Sequence, residues 1–395
     1  PIDEILVLDE EWRGHLHKAE TIKAEQNRLS KEFAKSRDEK LKEQLREMAE
    51  RAKAELAEAE AVKRRLDDLL LRVPNLFHES VPVGDGEQDN VVLREWGSKV
   101  ELGFTPRTHF DLGEALGIMD FERAARVAGS RFAFLMGEGA RLERALAQFM
   151  LDVHTQEHGY TEVWPPLLVN SNSMTGTAQL PKFAADAFKV EGHDLWLIPT
   201  SEVPLTNLHR DEIIDADLLP LKYTAYTPCF RSEAGAAGKD TRGFVRLHQF
   251  SKVEMVKLTT AETSMDEFEK LTADAEDILQ RLGLHYQVVA MCTGDMGFAQ
   301  YKKYDMNVWC PGLGRYLEVS SCSLFNDFQA MRANVRYRPA RGAPPRFVHT
   351  INGSGLALTR TIDAILETYQ RLDGTVAVPE ALRPYMGGLE VIGER

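Results

Sequence analysis

The chain has 395 residues, enough for two or more domains and a large buried core. An apolar share of 43% and a charged share of 28% are those of an ordinary globular protein, and no run of 18 apolar residues exists to form a membrane-spanning helix. A net charge of −13 excludes indiscriminate nucleic-acid binding but leaves room for a local basic patch.

The opening Pro1-Ile-Asp-Glu-Ile is acidic, unlike a secretory leader, and lacks Met, so the natural start is expected upstream. Residues 5–73 predict two long helices. Ile5, Leu8, Trp12, Ala19, Ile22, Leu29 and Phe33 form the first apolar seam, with polar His15 and Gln26 in two slots. Leu41, Leu45, Met48, Ala52, Ala59, Val62, Leu66, Leu69 and Val73 form the second, with Glu55 in one slot. Both seams follow a heptad, and Lys35-Ser36-Arg37-Asp38 divides them, which predicts an antiparallel coiled-coil hairpin with arms roughly 50 Å long. Such an arm should stand apart from the compact core. Lys31, Lys35, Arg37, Lys40 and Lys42 gather near its tip.

Pro74 is a helix stop, and residues 76–103, rich in Pro, Gly and Asp, read as a linker between a first domain (1–75) and a second (104–395). Amphipathic helices are predicted near 114–128 and 139–158, then strands at 162–169, 195–199, 221–230, 243–257, 286–291, 306–310 and 316–320. A helix over 263–282 interrupts them, and a last strand, 346–351, should run into a helix at 356–369. Adjacent strands with segregated helices argue for an α+β domain on an antiparallel sheet. Cys229, Cys292, Cys310 and Cys322 lack C-x-x-C spacing, so neither disulfides nor a zinc cluster is expected, and a reducing cytoplasm fits.

Residues 230–254, FRSEAGAAGKDTRGFVRLHQFSKVE, carry the chemistry. They read as two strands joined by a Gly/Ala-rich turn, a long antiparallel hairpin. Arg231 and Glu233 close the first strand; Arg246, His248, Phe250, Lys252 and Glu254 alternate along the second and should share a face. Guanidinium, aromatic ring and carboxylate on one face suit a polyanion bearing a flat ring, such as a nucleoside triphosphate. A phosphate-loop reading fails, because the segment from Gly235 to Asp240 lacks the spacing and has Asp where Ser or Thr should hold magnesium. Further on, Gly353-Ser354-Gly355 should turn tightly between strand and helix, with Arg360 in the first turns of a helix whose N-terminus favours anions. Asn352 breaks the serine-hydrolase pattern there.

Residues 230–254 resemble motif 2 of the class II aminoacyl-tRNA synthetases, in the form found in seryl-tRNA synthetases of bacterial type. The segment around Gly353 and Arg360 resembles motif 3, and Gly159-Tyr-Thr-Glu-Val-Trp-Pro165-Pro166 resembles motif 1, a dimer-interface element. Leu197-Ile-Pro-Thr200-Ser201-Glu202, the loop from Gly176 to Phe183, and Glu318-Val319-Ser320-Ser321 with Asp327-Phe-Gln-Ala are similar to segments of the seryl branch, as is Leu71-Arg-Val-Pro-Asn75. Leu324, Phe325 and Asn326 depart from the family's Asn-Cys-Thr, and Met331 replaces the first arginine of an Arg-Arg pair.

The resemblance implies an antiparallel class II catalytic domain behind a tRNA-binding arm, and formation of seryl-adenylate followed by transfer to serine tRNA, and to selenocysteine tRNA as well. It implies catalytic roles for Arg231, on the α-phosphate, and Arg360, on the γ-phosphate and over the adenine. Ser232, Glu233, Leu247, Phe250, Glu318, Val319, Ser320 and Ser321 would complete the ATP site, with Phe250 stacked on the adenine. Magnesium would sit on Glu318 and Ser321. Thr200, Ser201, Glu202, Glu254 and Ser354 would bind serine. A cytoplasmic homodimer whose arm acts across subunits completes the expectation. A paralogue that hands its amino acid to a carrier protein is the alternative, and the intact heptads count against it.

Overall fold

The computed structural model describes residues 2–234 and 244–394, which divide into two compact units, 1–74 and 75–395. The first unit is a helical hairpin of Ile2–Ser36 and Glu39–Leu70. Arg37 takes a left-handed φ of 54° at the reversal, and Asp38 caps the second helix through Lys40 N. Leu8, Val62 and Leu66 form its buried seam with Ile5, Trp12 and Leu69. The polar seam positions find each other or the backbone. His15 Nδ1 lies 2.7 Å from Glu55 Oε2, and Gln26 Nε2 donates to Leu45 O at 3.2 Å. These contacts fix the register of a seam that apolar residues alone would leave free to slide. The second helix ends at Leu70, ahead of Pro74.

The second unit is built on eight strands: β1 Val91–Trp96, β2 Thr161–Glu162, β3 Leu221–Phe230, β4 Gln249–Thr259, β5 Tyr286–Ala290, β6 Lys302–Cys310, β7 Arg315–Asn326 and β8 His349–Ala357. Their order is β1-β5-β6-β7-β8-β4-β3-β2, antiparallel except for the parallel β2–β3 pair. Three helices, Glu138–Gln156, Ser264–Arg281 and Leu358–Thr368, share one core with the sheet through residues such as Leu146, Phe268 and Ile362.

Four expectations need correction. The supposed linker contains β1, whose six residues are all exposed, so it shows no period-2 signal although it pairs with β5. The helix expected over 114–128 is two, His109–Ala115 and Phe121–Ala128, parted at Gly117 with φ 69°. The strand expected over 162–169 is only its two ends, Thr161–Glu162 and Leu168–Val169. Gly353 and Gly355 do not turn between strand and helix; they lie inside β8. Their smallness serves close approach instead. A Cβ on Gly353 would fall 2.4 Å from Leu271 Cδ2, and one on Gly355 would fall 2.5 Å from His154 Nε2.

Beneath the helix Leu358–Thr368 lies a buried group of charges. Glu367 accepts from His109 N at 3.0 Å, from Leu313 N at 3.0 Å, and sits 2.8 Å from His109 Nδ1. Asp363 has no hydrogen-bond partner at either oxygen, with His109 Nε2 3.6 Å away. Burial, reinforced by Glu367, pushes Asp363 up to about 7 despite His109. Its protonated form therefore favours the folded state, and that contribution is lost as pH rises from the ordinary carboxylate range through 7. Asp363→Asn should raise Tm at pH 8 by about 3 °C or more and raise it progressively less as pH falls toward 4, read by calorimetry. An equal loss at pH 8 and pH 4 would mean that Asp363 is held as an ion pair with His109.

Candidate active site

Alternation along β4 sorts its side chains. Val253 and Met255 enter the core, while Phe250, Lys252 and Glu254 line a cavity of about 710 Å³ on the opposite face. The expected alternation holds only from Gln249, where the strand begins. Arg246 still reaches the cavity, but His248 turns away, its ring near Phe132 and Phe188 and its Nδ1 3.0 Å from Arg231 O. The Gly/Ala-rich turn and the proposed start of the exit strand at Gly243 lie outside the described residues.

The cavity gathers Thr200, Glu202, Arg231, Glu233, Leu247, Phe250, Glu254, Glu318, Val319, Ser321, Ser354 and Arg360 from separate stretches of chain. Three expected residues do not line it. Ser201 bonds Thr227 at 2.5 Å, Ser232 donates to Ala185 O at 2.6 Å, and Ser320 donates to Ser354 O at 2.7 Å. These short hydroxyls brace the wall from behind.

At one end, Lys252 Nζ contacts Glu254 Oε2 and donates to Thr200 Oγ1 at 2.8 Å, while Thr200 Oγ1 lies 3.2 Å from Glu254 Oε2. Glu202 stands beside them, held by a donor the sequence reading missed. Gln329 Nε2 donates to Glu202 Oε1 at 2.6 Å, and Gln329 Oε1 accepts from Thr350 at 2.6 Å. Burial first, then the neighbouring Glu254 carboxylate, push Glu202 up to about 7 against the pull of Gln329, Lys252 and Arg231.

At the other end, the Arg231 guanidinium lies 5.1 Å from the Phe250 ring centroid, with Nε 3.3 Å from Pro199 O. Arg360 donates to Val245 O at 3.2 Å and Glu318 O at 2.7 Å. Arg231 thus lies over the Phe250 ring. Glu233 takes a φ of 51° and pairs with Arg246 at 2.6 Å. Enclosure raises Glu318, but Arg360, Lys303 and Arg231 outweigh it and hold its carboxyl below the usual range. Asp305, opposite Ser321 in the β6–β7 ladder and 3.0 Å from Lys303, is pushed up to about 7 by burial and by Glu318. One Asp305 oxygen is buried without a partner. Among the described residues no group of three or more His, Cys, Asp or Glu is placed to hold a metal by itself.

The core that organises this cavity is that of the class II aminoacyl-tRNA synthetases: residues 186–369 match the tRNA synthetase class II core domain (G, H, P, S and T). Residues 1–77 match the seryl-tRNA synthetase N-terminal domain. The chain is 55% identical to the serine–tRNA ligase of Pelotomaculum thermopropionicum, over 99% of this chain and 94% of that one. It is 56% identical to that of Geobacillus kaustophilus, over 99% and 93%. Its structure matches the ATP complex of Pyrococcus horikoshii seryl-tRNA synthetase with a TM-score of 0.92 and 42% identity, covering 99% of this chain and 93% of that one. The chain belongs to the seryl-tRNA synthetase family.

Proposed function

We propose that the two ends of this cavity divide the work of serine–tRNA ligation, ATP at the arginine end and serine at the carboxylate end. In the first step the serine carboxylate attacks the α-phosphate of ATP and pyrophosphate leaves. In the second, the terminal ribose hydroxyl of tRNA attacks the acyl carbon and AMP leaves. Neither step needs a protein nucleophile; position and charge suffice. Arg231 takes the α-phosphate, Phe250 the adenine, and Arg360 the terminal phosphates. Glu202, Glu254 and Thr200 take the ammonium and hydroxyl of serine, with Ser354 beside them. The observation that carries this reading is the convergence of Thr200, Glu202 and Glu254 within one cavity with Arg231, Phe250 and Arg360.

Magnesium belongs at Glu318 and Ser321. A hard cation wants oxygen ligands and usually takes one or two carboxylates plus substrate phosphates, and the unpartnered Asp305 oxygen adds to the donors nearby. When bound, the ion would offset triphosphate charge that the arginines otherwise face alone. Dimerisation through the segment around Pro166 is part of the same reading, supported by Trp164, which is 92% exposed. So are action of the arm across subunits, use of selenocysteine tRNA, and a cytoplasmic location, the last favoured by four buried free cysteines. Among the described residues no helix is long and apolar enough to cross a membrane.

The test is ATP–pyrophosphate exchange with each amino acid in turn, followed by charging of total tRNA. Serine alone should drive strong exchange, because a site built around a substrate hydroxyl rejects the analogue lacking it by about 10⁴-fold. Equal exchange with alanine would sink the assignment. The carrier-protein alternative predicts exchange without charging, and the N-terminal match counts against it.

Glu202 supplies a second check. Its ionised form is the one that should attract the serine ammonium, so the KM for serine should rise as pH falls below 7, and Glu202→Gln should flatten that dependence. Gln329→Leu should raise the KM for serine roughly tenfold with kcat less affected, the scale of one hydrogen bond to a charged group. A KM indifferent to both variants would place Glu202 outside the serine site.

A further inference from the structure

One strip beside the cavity contains none of the residues assigned above to ATP or serine. Phe183 and Phe298 line the cavity. The exposed Lys182 lies with Nζ 4.8 Å from the Phe298 ring centroid and 5.8 Å from that of Phe183. Phe298 meets Phe328 edge-to-face at 5.8 Å and 75°, and the Arg332 guanidinium covers Phe328 at 3.5 Å. Two basic side chains thus lie against a run of three aromatic rings that begins at the cavity wall.

Neither cation is neutralised. Among the described residues no carboxylate pairs with Lys182 or Arg332. Among the described residues the one hydrogen-bond acceptor that Arg332 meets is Phe328 O, 3.0 Å from Nη1, and its Nε is buried without a partner. An arginine kept partly out of water with no counter-charge on the protein is costly unless an anion arrives from outside.

The strip is also held in place. Asn75 N donates to Phe298 O at 2.9 Å, and Asn75 Nδ2 donates to Ala299 O at 2.9 Å and Phe325 O at 3.0 Å. Gly297 N donates to Gln300 Oε1 at 2.6 Å, and Gln300 Nε2 donates to Ser323 Oγ at 3.0 Å. The ring of Phe298 is therefore presented on a braced loop.

Unpaired cations beside aromatic faces suit single-stranded nucleic acid, whose bases stack while its phosphates take the charge. We propose that this strip receives the unpaired 3′ end of the tRNA, with terminal bases against Phe298 and Phe183 and backbone phosphates on Lys182 and Arg332. The inference rests on the ligase reading of the cavity, since the terminal ribose must reach the acyl carbon there.

Lys182→Glu, Arg332→Gln and the double variant Lys182→Gln/Arg332→Gln test it, with Arg332→Lys as the charge-keeping control. Each is assayed for serine-dependent pyrophosphate exchange and for charging of serine tRNA across a salt series. Exchange should hold at the parental rate. In the double variant the KM for tRNA should rise roughly tenfold, and the log–log salt slope should fall by about 1.4, at about 0.7 per single-strand phosphate contact. Arg332→Lys should charge tRNA with nearly the parental KM. Parental KM and slope in the variants would overturn the proposal, as would an equal fall of exchange and charging. A KM that stays high in Arg332→Lys would remove Arg332 from it. Lys182 is exposed, so the charge reversal there reads the strip without disturbing the fold. A parental protein with no serine-dependent exchange would instead overturn the ligase reading itself.

Discussion

Arg231→Ala should lower the rate of serine-dependent pyrophosphate exchange by about 10²–10³-fold while the protein stays folded, the usual cost of removing one donor aimed at developing charge. Geometry makes the prediction specific. Arg231 is tethered by Pro199 O and by the Phe250 ring, not by a carboxylate, so its removal leaves no buried acid unpaired. Thermal stability should move little, and the loss should fall on kcat more than on the KM for ATP, since charge shifts on the α-phosphate only during reaction. Unchanged exchange would make Arg231 a wall residue and would shift the phosphate role to Arg360.

Removal of residues 8–70, with a short linker, should leave exchange near its original rate and cut charging of serine tRNA on the order of 10³-fold, the value of about four phosphate contacts at physiological salt. Lys42 pairs with Glu39, but Lys31, Lys35 and Lys40 form no ion pair among the described residues. Two observations support separability. The helical hairpin closes its own seam around Leu8, Val62 and Leu66, and residues 75–395 enclose a core of their own. Efficient charging by the truncated protein would show that the arm does not recognise tRNA. Loss of exchange would show that it supports the catalytic unit, and the tRNA reading would lose its motive.

What the sequence made legible was periodic or ordered. The heptad seams, the alternation from Phe250 to Glu254, and the hairpin of β3 and β4 each write a geometry into neighbouring residues. The misreadings fall where the cause lies far along the chain. Gly353 and Gly355 look like a turn until Leu271 and His154 are seen pressing on the strand they occupy. Gln329 carries no local sign of its role, because its partner Glu202 is 127 residues away. β1 is exposed at all six positions, and its apolar residues Val91, Val92, Leu93 and Trp96 do not alternate with polar ones, so no period-2 pattern marks it. Ser201, Ser232 and Ser320 sat in the right motifs, yet their hydroxyls are taken by Thr227, Ala185 O and Ser354 O, partners far from each of them in sequence.

The contact between Lys252, Glu254 and Thr200 changes how serine recognition should be understood. On the proposed reading, an amino acid entering this site meets a carboxylate that already holds the Lys252 ammonium at one oxygen, Oε2, so its own ammonium must share the group with a second cation. The gain is what the shared carboxylate offers less the repulsion between the two ammonium groups. Serine alone should therefore be held loosely, as measured by calorimetry without ATP. Discrimination would then rest on which amino acid can be carried through adenylate formation, where interactions made only in the transition state decide the rate.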